Sequence, residues 1–221
     1  KPLIQWVYEA VRRSDADDVL VATDSDQVMA AAEKFGARAV MTSPAHPSGT
    51  DRVHEAVLKA APDCDIIINV QGDEPLIPPS VINNLIAKLK NSPEIEMATV
   101  GVPVPRKDVA DNPNIVKIAL DKSSFALYFS RSAIPFLRQG GEDMRLYKHW
   151  GIYAFRKDTL ERFVSIPESP LEKCERLEQL RAVENGIRIY VVESDFNGSV
   201  GIDTPEDMEA ARKILAMAAH L

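Results

Sequence analysis

The chain has 221 residues, of which 45% are hydrophobic and 27% charged. That length suits a single α/β domain with a sizeable core, and the composition is that of a folded protein rather than a disordered or membrane-embedded one. No apolar run approaches the roughly 18 residues that a membrane helix needs, and no apolar leader with a small-residue cleavage site is expected. Acidic residues outnumber basic ones, 33 against 26, so no global positive field gathers nucleic acid or an anionic membrane. An anionic ligand must therefore be held by local groups. Cys64 and Cys174 lie in no metal-ligand spacing, and the apolar pattern around each is that of a buried structural thiol in a reducing compartment.

In chain order, Leu3, Ile4, Val7, Tyr8 and Val11 share one face of a helix over residues 2–13. Residues 18–23 (DVLVAT) read as a buried strand, and Asp24 with Gln27 predicts a capping box for a helix ending at Gly36. A short strand at 38–41 and the Pro-rich loop TSPAHPSG lead to a helix over 50–61. Residues 65–70 (DIIINV) form a continuous β-branched run, the pattern of a central strand covered on both faces. A helix at 79–90 precedes strands at 96–102, 115–120, 125–129 and 150–155. Helices at 157–164 and 170–184, a strand at 187–192 and a helix at 205–218 complete the pattern. Ser169 with Glu172, and Thr204 with Asp207, have capping-box spacing. The expected fold is one three-layer αβα domain, Rossmann-like, with a mixed, mainly parallel sheet.

Ligands of open α/β sheets collect outside the carboxyl ends of the strands, where DIIINV delivers QGDEP. Gln71, Asp73 and Glu74 offer hard oxygens suited to Mg²⁺, although Gly, Asp and Pro also make ordinary turns. Asp203, in VGIDTPED, ends a second short strand before a helix and either joins Asp73 in holding a metal or helps cap that helix. Ser48, Gly49 and Arg52, in SGTDR, combine a hydroxyl, exposed helix-start amides and a guanidinium, a set that fits a nucleotide or an ordinary helix cap. Arg131, in YFSRSAIP, follows an apolar strand and suits a carboxylate ligand or a surface ion pair. His149 and Tyr153 lie four apart, on one face of an extended strand, where they line a pocket or simply pack. Glu178 and Gln179 fall on an amphipathic helix whose charges read as a solvated face.

With these residues assembled, the chain resembles the 3-deoxy-manno-octulosonate cytidylyltransferase (CMP-Kdo synthetase) family over essentially its whole length. VATD, SGTDR, NVQGDEP, NPNIVKI, ALYFSRSAIP, KHWGIYAF, SPLEKCERLEQLR and GIDTPEDME occur in the order that the family has them. The resemblance implies a nucleotide-diphospho-sugar-transferase-like fold and an Mg²⁺-dependent transfer of CMP from CTP to Kdo, giving CMP-Kdo and pyrophosphate. It implies Asp73 and Asp203 as metal ligands and catalytic residues together with Arg131. Gln71, Arg131, His149, Tyr153, Glu178 and Gln179 resemble its Kdo-pocket residues, and Ser48, Gly49 and Arg52 its CTP contacts. It also implies a cytoplasmic homodimer supplying activated sugar for lipopolysaccharide.

The family has an N-terminal strand and a basic loop resembling RxxSxRLPGKPL, and the expectation is that this segment is missing ahead of Lys1. A sialic-acid-type cytidylyltransferase and a catalytically impaired nucleotide-binding or dimerisation module are the competing readings.

Overall fold

The computed structural model describes residues 1–140, 144–196 and 209. They gather into two compact units, one of residues 1–64 and 69–86, the other of residues 65–68 and 87–196.

In the first unit, helix α1 (Leu3–Val11) precedes strand β1 (Leu20–Thr23), helix α2 (Asp26–Lys34), strand β2 (Arg38–Met41) and helix α3 (Gly49–Ala60). β1 and β2 pair in parallel, Leu20 opposite Arg38 and Thr23 opposite Met41. Val21, Ala32 and Ala37 form a buried cluster packed by Ile4, Tyr8, Val28 and Phe35, which realises the apolar face expected of α1. The cap of α2 differs from expectation by one residue. Ser25, with extended backbone, accepts the Val28 amide, which leaves the Asp24 carboxylate for another partner. Gly36 at φ +74° ends this helix in the left-handed region that favours glycine. The division between the units falls inside strand β3 (Ile66–Asn69) and helix α4 (Pro79–Asn91).

The second unit continues with strand β4 (Met97–Pro105), the short helix α5 (Arg106–Val109), and strands β5 (Lys117–Leu120), β6 (Ala126–Ser130) and β7 (Arg145–Arg156). Helices α6 (Lys157–Ser165), α7 (Pro170–Glu175) and α8 (Gln179–Glu184) and strand β8 (Ile189–Glu193) follow. The sheet order is β6-β5-β7-β4-β8, with β3 also paired to β7. It is mixed, as expected, but among the described residues antiparallel pairs outnumber parallel ones in this unit, contrary to the mainly parallel sheet expected: β4 runs parallel to β8, while β7 runs antiparallel to β4 and β5, and β5 antiparallel to β6. Met97, Val100, Ile118, Phe129, Ile152, Phe155, Phe163 and Leu180 are buried in this unit's core. β7 is twelve residues long, extending well before the strand start expected near Trp150, because its polar first half pairs with β4 and β5.

Two expectations change here. The helix expected over 170–184 is two helices, broken at Arg176, whose backbone is left-handed at φ 53°. The Ser169–Glu172 capping box forms and turns Glu172 inward, where both its oxygens accept from Arg181 at 2.8 and 2.6 Å. An uninterrupted helix would carry Arg181 nine positions on and out of reach of that carboxylate. Cys174 is exposed rather than buried, and Cys64 is partly buried; both are free thiols. Of the helix expected at 205–218 only Glu209 is described, and it is helical; the Thr204–Asp207 box and Asp203 lie outside the described residues. None of the described helices is long and apolar enough to cross a membrane.

Candidate active site

In the first unit, β1 ends in Thr23-Asp24. The Thr23 hydroxyl accepts the Ser25 amide, and the Asp24 carboxylate accepts from Arg52 Nη2 at 2.7 Å. Arg52 Nη1 donates to Oγ1 of buried Thr42 at 2.7 Å. The guanidinium on the first turn of α3 is thus gripped from two sides, rather than being the loose surface charge that its sequence context equally allows. Ser48 caps α3, accepting the Asp51 amide and donating to the Asp51 carboxylate at 2.7 Å. Capping and ligand binding are compatible at this position, because a capped helix start still presents its other amides and positive dipole end.

The turn after β3 packs on the same helix start. Buried Asn69 donates from Nδ2 to Thr50 Oγ1 at 3.1 Å, and Gln71 Nε2 donates to Asn69 Oδ1 at 3.4 Å. A Cβ at Gly49 would sit 3.3 Å from Gln71 Oε1, a tight contact that the Gln71 amide would relieve by giving a few tenths of an ångström, so the Gln71 amide lies close against the helix start. The structure therefore brings Gln71 together with Ser48 and Gly49, the pair whose resemblance is to nucleotide contacts. Asp73 is half-buried on the turn beyond Gln71.

The second unit assembles a different group. Along β7 the pairing with β4 slips between Thr99, opposite Tyr153, and Val100, opposite Trp150. Gly151 and Ile152 are thereby extruded as a bulge. Because two residues are inserted, the alternation of faces is kept, and His149 and Tyr153 lie on one face with ring centroids 5.6 Å apart. Thr99 faces the bulge. Its hydroxyl lies 2.8 Å from the Ile152 carbonyl, 3.3 Å from the Trp150 carbonyl and 2.9 Å from His149 Nε2. On the far side of the ring, Gln179 Nε2 is 3.5 Å from His149 Nδ1, and Gln179 Oε1 accepts the Tyr153 hydroxyl at 3.0 Å. Gln179 and Tyr153 are only 2% and 4% exposed, so Gln179 is a buried residue and not part of a solvated face. The break at Arg176 re-aims α8 and turns this side chain inward.

Desolvation pulls the His149 pKa from 6.5 down to about 3, so the imidazole is neutral at physiological pH. Burial, and then the negative charge of half-buried Glu178, push the Tyr153 hydroxyl well above its ordinary value. It stays a protonated donor.

In the same unit, Arg131 gives Nε to the Glu175 carbonyl at 2.8 Å, Nη1 to the Pro113 carbonyl at 3.1 Å and Nη2 to the Arg176 carbonyl at 3.4 Å. These carbonyls fix its plane, and among the described residues one N–H on each terminal nitrogen is left for an anion. The Glu175 carboxylate accepts from Ser130 Oγ at 2.6 Å and from the Arg131 amide at 3.0 Å. Lys117, fully buried, donates to the carbonyls of Asn112, Ile115 and Arg131 and ties the strand end beneath Arg131. Burial lowers its pKa, and the charge of Glu175 opposes that.

Sequence reasoning missed Asp24 as the Arg52 partner and left out Thr99, Lys117 and Glu175. Thr99 and Lys117 each carry a signal: a single hydroxyl in MATVGV and a single ammonium in IVKIAL, both inside apolar strands where an unpaired polar group is costly.

A family model described as cytidylyltransferase matches residues 1–189. A 3-deoxy-manno-octulosonate cytidylyltransferase of Thermodesulfovibrio yellowstonii is 47% identical, covering 97% of this chain and 88% of that protein. Its counterpart from Vibrio parahaemolyticus is 45% identical, covering 98% of this chain and 88% of the relative. A solved structure of CMP:2-keto-3-deoxy-manno-octonic acid synthetase complexed with CTP superposes with a TM-score of 0.93 at 41% identity, over 99% of this chain and 89% of that one. A 4-diphosphocytidyl-2C-methyl-D-erythritol synthase from Anaerococcus prevotii, 13% identical with a TM-score of 0.64 over 97% of this chain and 89% of its own, shares the fold alone.

Proposed function

Because the chain belongs to the cytidylyltransferase family, we propose that it transfers CMP from CTP to 3-deoxy-D-manno-octulosonate, giving CMP-Kdo and pyrophosphate. The observation that carries this reading is the 41–47% identity, over nearly the whole chain, to proteins whose names state that activity. The same observation favours Kdo over sialic acid as the acid sugar.

In this reading the anomeric hydroxyl oxygen of Kdo bonds to the α-phosphorus. The α–β bridging P–O bond breaks, and pyrophosphate leaves with its electron pair while the hydroxyl proton is released. Ser48, Gly49 and Arg52 hold the nucleotide; the grip of Asp24 and Thr42 on Arg52 presents its remaining donors without an ordering cost at binding. Arg131 answers the sugar carboxylate, with its plane set by Glu175, Pro113 and Arg176. Gln71, His149, Tyr153, Glu178 and Gln179 shape recognition of the sugar. Asp73 and Asp203 would hold Mg²⁺. Carboxylates are the hard donors that this ion takes, and a site with one or two of them leaves the rest of the shell to substrate phosphate and water. Bound there, Mg²⁺ would polarise the α-phosphate and lower the pKa of the attacking hydroxyl. A homodimer acting in the cytoplasm, for lipopolysaccharide synthesis, completes the proposal.

The test is pyrophosphate release by the purified protein with Mg²⁺. Release that needs both CTP and Kdo, that fails with sialic acid and that is lost in Asp73→Ala is expected. Binding of CTP with no turnover of either acid sugar would overturn the enzyme reading in favour of a binding module.

A further inference from the structure

The polar cluster on the β4–β7 face has a direction that its donors and acceptors impose. Thr99 has one hydroxyl hydrogen, and two carbonyls, those of Ile152 and Trp150, compete for it at 2.8 and 3.3 Å. A carbonyl cannot donate, so that hydrogen is committed to the bulge. The hydroxyl then meets His149 Nε2, 2.9 Å away, as an acceptor, and Nε2 must carry the imidazole proton. In the neutral ring this leaves Nδ1 as a lone pair, which among the described residues the amide nitrogen of Gln179 meets at 3.5 Å. Gln179 Oε1 is then turned to Tyr153, whose hydroxyl it accepts at 3.0 Å.

We infer that Thr99 is a positioning residue: anchored in the β7 bulge, it sets the His149 tautomer and thereby the orientation of the Gln179 amide. Both ring nitrogens of His149 are used inside the chain, so His149 acts by relaying this orientation. What the cluster offers a ligand is the Tyr153 oxygen as acceptor and the second Nε2–H of Gln179 as donor, a pair that suits a sugar hydroxyl. The opposite amide orientation would put a carbonyl oxygen against the Nδ1 lone pair, and like partners repel. The bulge is integral to this arrangement. A regular ladder would pair the Ile152 carbonyl into the sheet, and Thr99 would lose the acceptor that commits its hydrogen. The bearing on sugar recognition rests on the function proposed above; the tautomer itself does not.

The experiment is nitrogen NMR on protein labelled with ¹⁵N-histidine, read near neutral pH alongside Kdo kinetics. Wild type is expected to show His149 with a protonated Nε2 and a bare Nδ1, whatever its activity. Thr99→Val, nearly isosteric but without the hydroxyl, is expected to lose that pure tautomer and to raise KM for Kdo about tenfold with KM for CTP unchanged. Thr99→Ser is expected to recover the tautomer and most of the kinetic loss. A protonated Nδ1 or a tautomer mixture in wild type overturns the inference even if no variant folds, and so does an unchanged tautomer in folded Thr99→Val. A wild-type protein with the expected tautomer and no Kdo turnover would sink the proposed function while leaving the positioning role of Thr99 intact.

Discussion

Acidification provides a quantitative test of the buried imidazole. Desolvation holds His149 near a pKa of about 3, against 6.5 for an exposed histidine. The unfolded chain therefore binds a proton between these values that the folded chain refuses, and stability must fall as pH drops below 6.5. At pH 5 the loss is RT ln(1 + 10^1.5), about 2 kcal/mol, and little of it has set in at pH 7. The figure is insensitive to the folded pKa, since any value below about 4 leaves His149 neutral at pH 5. Carboxylates contribute their own acid sensitivity. Glu55, for example, is held down to about 2 by hydrogen bonds from Lys59, the Ser43 amide and His46, and its contribution is lost only as pH falls below its unfolded value. The informative quantity is thus the difference between wild type and His149→Gln in urea unfolding free energy at pH 7 and pH 5. Wild type is expected to lose about 2 kcal/mol more than the variant across this interval. Equal losses in the two proteins would refute the claim that His149 is folded in neutral.

Three further outcomes follow from the packing. A Cβ at Gly101 would lie 2.6 Å from Val191 Cγ1, so Gly101→Ala should cost about 1–3 kcal/mol in thermal or urea unfolding; an unchanged melting temperature would contradict the close approach of β4 and β8. Arg181 and Glu172 have side chains only 5% and 8% exposed, so Arg181→Met, which strands the carboxylate, should destabilise by about 3–5 kcal/mol, with Arg181→Met/Glu172→Leu recovering much of it in the same assay. Arg52→Lys keeps the charge but cannot span Asp24 and Thr42 together, so KM for CTP should rise about tenfold while Kdo saturation is unaffected; equal changes for both substrates would argue against a nucleotide role.

Much of the fold could be read from local signals. The run DIIINV, the two capping serines at 48 and 169, and the apolar faces of α1 and α3 all depend on neighbours within a few residues, and each formed close to where it was expected. Expectations failed where a distant partner decided the outcome. Asp24 has good capping chemistry, yet Ser25 takes the cap because Arg52, 28 residues away, recruits the Asp24 carboxylate. The periodicity of 170–184 is helical throughout, yet the inward turn of Glu172 to meet Arg181 splits it at Arg176. Propensity carries no record of either ion pair.

The candidate site shows the same division between local and distant partners. Arg52, Ser48 and Gly49 sit together in one short motif, and a helix start is enough to gather them. The Thr99, His149, Tyr153 and Gln179 cluster draws on β4, β7 and α8, and it exists only because a two-residue bulge and a left-handed Arg176 bring their side chains to one face. Sequence spacing predicted that His149 and Tyr153 share a face, but not that both nitrogens of the ring are spoken for. That occupancy turns a candidate ligand into part of the frame that aims Gln179 and Tyr153. In a buried polar chain each hydrogen has one place to go, so the chemistry of the last member is fixed by the first. Thr99, with no resemblance-based reason to be noticed, is where that ordering starts.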